Sequence, residues 1–211
     1  MQINIGILGL GTVGGGTFGV LTRNAALIRA RIGCELRVTR VATRTPARAT
    51  QWGVPSEIVS TDVDALLRDP QIHIVAELIG GIEPARTFVL EAFKNGKSVV
   101  TANKELLAKH GAELRLAAQN AGVDLLFEGA VGGGIPLIKP LKESLAGNQI
   151  EQLMGIVNGT TNFILTKMTR EGSDFADVLA QAQALGYAEA DPTADVEAFD
   201  AAYKLCILAG I

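Results

Sequence analysis

The chain has 211 residues, 48% of them hydrophobic and 19% charged, with a formal net charge of −3. That length can bury a sizeable core in one large domain or two small ones, and mild acidity without a basic run excludes the electrostatic footprint of nucleic-acid or anionic-membrane binding. No stretch approaches the roughly 20 uninterrupted apolar residues of a membrane-spanning helix, and the opening "MQINIGILGLG" lacks the features of a signal peptide, so a soluble cytoplasmic protein is expected.

In chain order, "INIGILGL" reads as a buried parallel strand ending in glycines, followed by a helical stretch to about Arg31 and a second strand, "ELRVTRVAT". A short strand is expected at 58–61 and a stronger one at 72–79, "IHIVAELI". "EPARTFVLEAFKNG" has the form of a helix, with Pro84 near its first turn and Asn95-Gly96 as its stop. Then come strand "KSVVTA", helix "NKELLAKHGAELRLAAQNAG" and strand "VDLLFEGAV". Strands alternating with helices of this length predict βαβ units: a Rossmann-like, doubly wound parallel sheet over residues 1–130.

The rhythm changes at the glycine-rich "GAVGGGIP". A helix over about 136–146, a strand at "QIEQLMGIV", two helices within 161–186 (the second capped by Ser173 and stopped at Gly186) and one last helix are expected. These fit the first part of an α+β domain over 131–211, incomplete by itself, so the protein is expected to continue or to need a partner chain. Cys34 and Cys206 stand apart inside apolar segments and are expected to be core thiols in a reducing compartment.

"GLGTVGGG" places Gly9, Gly11 and Gly14 in GxGxxG spacing between a strand and a helix, with Thr12 and Val13 between the glycines. Gly9 permits the tight turn, Gly11 the approach of a pyrophosphate to the backbone, and Gly14 close helix–strand packing. Such turns also occur without ligands, but the strand–loop–helix context favours a dinucleotide. An acid after the second strand would accept from the ribose 2′-OH of NAD, whereas an arginine suits the extra phosphate of NADP. "VATRTPAR" offers Arg44 and Arg48 and no acid, favouring NADP with NAD still open. Arg44 lies 30 positions past Gly14 (44 − 14), beyond the usual spacing of about 20; the alternative is a solvated loop arginine. Lys104, in "TANKELLA", opens a helix against its dipole at a cost of a few tenths of a kcal/mol or more. It does so at a strand end, where ligands sit in open α/β sheets; the alternative is an exposed surface lysine.

"ELIGGIEPAR" (77–86), "TANKELL" (101–107), "GIVNGTTNFIL" (155–165) and "GYAEADPTADVEAFDAAYK" (186–204) together resemble homoserine dehydrogenase. The last block departs from the family pattern at Ala198, where glycine is usual; a methyl there either crowds a close backbone approach or favours the helix by up to about 1 kcal/mol, and tolerance is expected. The resemblance implies reversible NAD(P)H-dependent reduction of L-aspartate 4-semialdehyde to L-homoserine, in the biosynthesis of threonine, methionine and isoleucine, by a homodimer. It implies Lys204 as proton donor and acceptor, Lys104 as a second ammonium at the reacting oxygen, Asp200 orienting Lys204, Glu189 holding the substrate ammonium and Asp195 shaping the pocket. It also implies a monovalent cation, sodium in the family, on Glu128 and the carbonyls of Val131, Gly133 and Ile135. Family members are longer than this chain, which therefore resembles a truncated enzyme. The competing readings are a non-catalytic dinucleotide-binding module, another semialdehyde or amino-acid dehydrogenase, and, for Asp200–Lys204, an ordinary i,i+4 pair worth about 0.2–0.5 kcal/mol.

Overall fold

Apolar residues in residues 1–130 alternate between two faces of a wholly parallel, six-stranded sheet. The computed structural model describes residues 1–211 and consists of two units, Met1–Ala130 and Val131–Ile211. The strands of the first unit are β1 (Gln2–Leu8), β2 (Glu35–Ala42), β3 (Val59–Ser60), β4 (Ile74–Glu77), β5 (Ser98–Thr101) and β6 (Leu125–Leu126). Their order is β3-β2-β1-β4-β5-β6, every neighbouring pair parallel. The order reverses between β1 and β4, and that switch point defines the crevice where open α/β sheets bind ligands.

Side chains alternate along the strands, so both faces need cover. Ile5 and Ile7 of β1 pack with Phe18 of α1 (Thr12–Arg23) and Ala49 of α3 (Arg48–Trp52). On the other face, Leu8, Val75 and Val99 meet α4 (Val63–Arg68), α5 (Ala85–Lys94) and α6 (Lys104–Ala121) through Leu66, Val89, Phe93 and Leu114. Burying each large apolar side chain contributes about 1.5–3 kcal/mol. Gly6 keeps α4 close to β1, since a Cβ there would lie 2.7 Å from Leu66 Cδ2. Asp62 caps α4, accepting from Ala65 N at 2.9 Å. Lys97, at the foot of β5, is buried and donates from Nζ to the carbonyls of Asp69 (2.5 Å) and Ile72 (2.9 Å).

The helix expected to run to Arg31 breaks at Asn24 into α1 and α2 (Ala25–Ile32). α2 buries none of its residues fully. β6 is shorter than expected, and Glu128–Ala130 form a 3₁₀ turn instead.

The second unit holds helices only: α7 (Gly159–Glu171), α8 (Phe175–Ala184), α9 (Thr193–Val196) and α10 (Phe199–Ala209). Ile164 of α7 packs on Val178 and Ala182 of α8. The helix expected over 136–146 is a single π turn, Pro140–Ser144, with Pro140 in its first turn. The strand expected at 149–157 does not form: no other strand in this unit offers it a ladder, and Met154 and Ile156 are exposed. Asp174 rather than Ser173 caps α8, accepting from Ala176 N at 2.9 Å. The single closing helix is instead α9 and α10, parted by Ala198 in the left-handed region at φ 62°. Both cysteines are free; Cys34 is half-buried and Cys206 exposed, so neither is a core thiol, α10 burying only Asp200 and Ile207. No helix is long and apolar enough to cross a membrane.

Candidate active site

The chain leaves β1 at Leu8 and enters α1 through the glycine loop. Gly9 has φ 94°, and a Cβ there would lie 2.6 Å from Leu78 O, so this turn against the end of β4 requires glycine. A Cβ on Gly14 would lie 2.1 Å from Gly9 O, so α1 seats on its own loop only through bare backbone. Gly11 is different: no atom lies within 4 Å of its Cβ position, and nothing in the protein demands glycine there. It is the N-cap of α1 and gives no side-chain cap, while Thr12 and Val13 are exposed in the first turn. Such a helix start, with uncapped N–H groups and the positive end of the dipole, suits an anion. The neighbouring Gly15 serves packing, since a Cβ would lie 2.0 Å from the Trp52 ring.

Gly9 and Gly11 line a cleft of about 480 Å³ with Arg44, Arg48, Ile79 and Gly80. β2 ends in Ala42 and continues into Thr43 and Arg44, so the stretch after it carries cations, while the carboxylate that lines the same cleft, Glu83, accepts from Thr87 Oγ1 and Arg86 Nη1. At the adjoining rim, β5 ends in Thr101 and Asn103 caps α6, accepting from Leu106 N at 3.1 Å. Lys104 is the first residue of α6 and half-buried. Beneath it lies a network that the sequence did not reveal. Fully buried Glu77 accepts from Ile79 N at 2.9 Å and from Thr101 Oγ1 at 2.6 Å, while Asn103 Nδ2 donates to Gly81 O at 2.6 Å.

In the second unit, Asn158, Thr160, Phe163, Tyr187, Asp195, Asp200 and Lys204 line a cleft of about 370 Å³. Asn158 is its organiser. Its Oδ1 caps α7 by accepting from Thr161 N at 2.8 Å, and its Nδ2 donates to Asp195 Oδ1 (2.7 Å) and Asp200 Oδ2 (2.8 Å). Asp200, 3% exposed, opens α10, with Lys204 one turn further on. Lys204 Nζ donates to Asp200 Oδ2 at 2.5 Å and to Val157 O at 2.5 Å. These polar partners fix the ammonium, while the next residue, Leu205, is 61% exposed. Thr160 Oγ1 donates to Tyr187 O at 2.7 Å, tying one wall together.

The expected residues therefore converge in part. Asp195, Asp200 and Lys204 share this cleft, while Glu189 is exposed and outside its lining, its backbone carbonyl accepting from Gln183 Nε2 at 3.1 Å. Asp191 caps the turn at Pro192. Hydrogen bonds from the Thr193 hydroxyl (2.6 Å) and then from its N–H (3.1 Å) hold this carboxyl below the usual carboxylate range. Glu128 lies in the closing turn of the first unit; Val131, Gly133 and Ile135 lie in the turn opening the second, which Ile135 N closes onto Gly132 O at 2.7 Å. Nowhere do three or more His, Cys, Asp or Glu side chains gather as metal ligands. Asn158 had one legible signal, an Asn three residues before Thr161, which marks a helix cap; its contacts to residues 37 and 42 positions away left none.

Residues 9–128 match the family model described as "Homoserine dehydrogenase, NAD binding domain", and residues 136–211 match that described as "Homoserine dehydrogenase". The homoserine dehydrogenase of Synechocystis sp. is 51% identical over 211 residues, covering 100% of this chain and 48% of the relative. That of Pseudomonas aeruginosa is 53% identical over 209 residues, covering 99% and 48%. The chain thus spans about half the length of the curated relatives it matches. Among solved structures, a homoserine dehydrogenase from Thiobacillus denitrificans superposes with TM-score 0.95 at 55% identity, covering 100% of this chain and 48% of that one. A hyperthermophilic archaeal homoserine dehydrogenase in complex with NADPH superposes with TM-score 0.85 at 32% identity, covering 99% and 69%.

Proposed function

The chain belongs to the homoserine dehydrogenase family, and from that premise we propose that it carries the nucleotide-binding unit and part of the substrate unit of an NADP-preferring homoserine dehydrogenase. The reaction is L-aspartate 4-semialdehyde + NADPH + H⁺ ⇌ L-homoserine + NADP⁺, within threonine, methionine and isoleucine biosynthesis. The observation that carries this reading is the cleft in which Lys204 is held by Asp200 and Val157 O and lined by Asn158 and Asp195.

The bound dinucleotide supplies or accepts the hydride. The residues of the glycine loop suit its pyrophosphate: Gly11 leaves open space before an uncapped helix start. Arg44, with Arg48 beside it on the same cleft, suits a phosphorylated ribose better than a bare one. Lys204 has three N–H donors. Two are spent on Asp200 and Val157, and the third serves the substrate oxygen, giving it a proton on reduction and taking one back on oxidation. Asp200 orients that ammonium. Asp195, tied to Asp200 through Asn158, shapes the pocket for the amino-acid end of the substrate; Glu189, which lies outside this cleft's lining, is the partner of the substrate ammonium only as the family resemblance implies it. Lys104, half-buried at the start of α6, is the second ammonium that the family resemblance implies for the reaction.

Glu128 with the carbonyls of Val131, Gly133 and Ile135 is a donor set of oxygens alone, which suits a hard monovalent cation such as sodium. A cytoplasmic homodimer completes the proposal. The test is homoserine-dependent reduction of NADP⁺ by the full-length protein. Binding of NADPH without any turnover of homoserine would instead favour a non-catalytic nucleotide module.

A further inference from the structure

Glu77 is 0% exposed at the end of β4, beside the switch point, where it pairs in register with Leu8 of β1 and Thr101 of β5. Its Oε1 accepts from Ile79 N at 2.9 Å and Gly80 N at 3.4 Å, and its Oε2 accepts from Thr101 Oγ1 at 2.6 Å. The Thr101 hydroxyl in turn accepts from Asn103 N at 3.0 Å, so its own proton is directed to Glu77. Every partner of the carboxylate is a neutral donor, and no cation pairs with it. A buried anion compensated only by neutral donors is poorer for stability than an apolar side chain of the same size. Fold stability therefore does not account for it.

Its position does. The loop that Glu77 ties down contributes Leu78, Ile79 and Gly80 to the cleft that Gly9, Gly11 and Arg44 also line. A dinucleotide lies across the switch point, with its adenosine ribose at the end of the second strand. Its other half then falls on the β4–β5 side, where Glu77 and Thr101 end their strands. The nicotinamide ring is positively charged when oxidised and neutral when reduced. We propose that Glu77 is the fixed counter-charge of the oxidised ring, biasing the first unit toward NADP⁺ over NADPH. This rests on the dinucleotide reading above. A charge shielded from water on all sides acts over several ångströms with little screening, so the discrimination needs no direct contact.

The test is the dissociation constants of both NADP⁺ and NADPH, measured by titration calorimetry on full-length wild type and Glu77→Gln, which keeps the shape and removes the charge. The expected result is that Glu77→Gln weakens NADP⁺ relative to NADPH by about five- to tenfold. Equal losses for the two forms overturn the proposal, because a residue that merely supports the loop moves both together. If wild type binds neither form, the dinucleotide reading falls and this proposal with it; if wild type binds both, only the ratio is at stake. Should Glu77→Gln not fold, wild type answers alone. An uncharged benzamide isostere of NADP⁺ is expected to bind about five- to tenfold more weakly than NADP⁺, and equal affinity overturns the proposal.

Discussion

Ala198 occupies φ 62°, a left-handed position between α9 and α10, where a Cβ costs about 1–2 kcal/mol. Of the two readings of this methyl, helix-favouring does not apply, since the residue is a hinge between helices. Glycine gives back about 0.4–1 kcal/mol through the greater freedom of the unfolded chain. Ala198→Gly should raise stability by about 0.5–1 kcal/mol, read as a higher melting temperature; a lower one would contradict the hinge. Arg44 makes a second prediction at this scale. It is exposed on the rim past β2, with no carboxylate beside it in that stretch. Arg44→Asp should shift preference from NADP toward NAD, since a carboxylate repels a 2′-phosphate and accepts from a 2′-hydroxyl. Unchanged discrimination in paired affinity measurements would remove Arg44 from the cofactor site.

The strand–loop–helix element at the chain start separates binding from folding. Gly14→Ala drives a Cβ to 2.1 Å from Gly9 O and should destabilise by about 1–3 kcal/mol. Gly11→Ala meets no protein atom within 4 Å, so its melt should match wild type while dinucleotide affinity falls by about tenfold or more. Equal affinity for Gly11→Ala and wild type would mean that this loop does not receive the pyrophosphate. Where α4 ends and β5 begins, Lys97 holds two carbonyls, and Lys97→Met should cost about 2–4 kcal/mol in denaturant unfolding. Burial pushes the Lys97 ammonium below its ordinary 10.5, against a smaller opposing pull from Asp69. In the window between the lowered folded value and 10.5 the unfolded chain holds more protons, so stability from this group rises with pH there. Lys97→Met should lack that rise.

At the scale of the molecule, what could be read in advance was whatever local pattern decides. The apolar runs around Ile5, Val75 and Val99 announce parallel strands, and the glycine loop announces its turn. Asp200 and Lys204 meet because one helical turn separates them. What depends on partners far along the chain was not legible. Asn158 reaches Asp195 and Asp200 only after α7, α9 and α10 have packed, and Glu77 finds Thr101 only through the β4–β5 register. The apolar residues at 149–157 look like a strand, but pairing needs a neighbour that the second unit does not contain. The catalytic claim is tested most directly by homoserine-dependent NADP⁺ reduction by the full-length protein beside its Lys204→Ala variant. The account predicts turnover by wild type and a loss of about 10²–10⁴-fold in kcat for the variant, with NADPH affinity unchanged. Near-wild-type kcat in Lys204→Ala would contradict it.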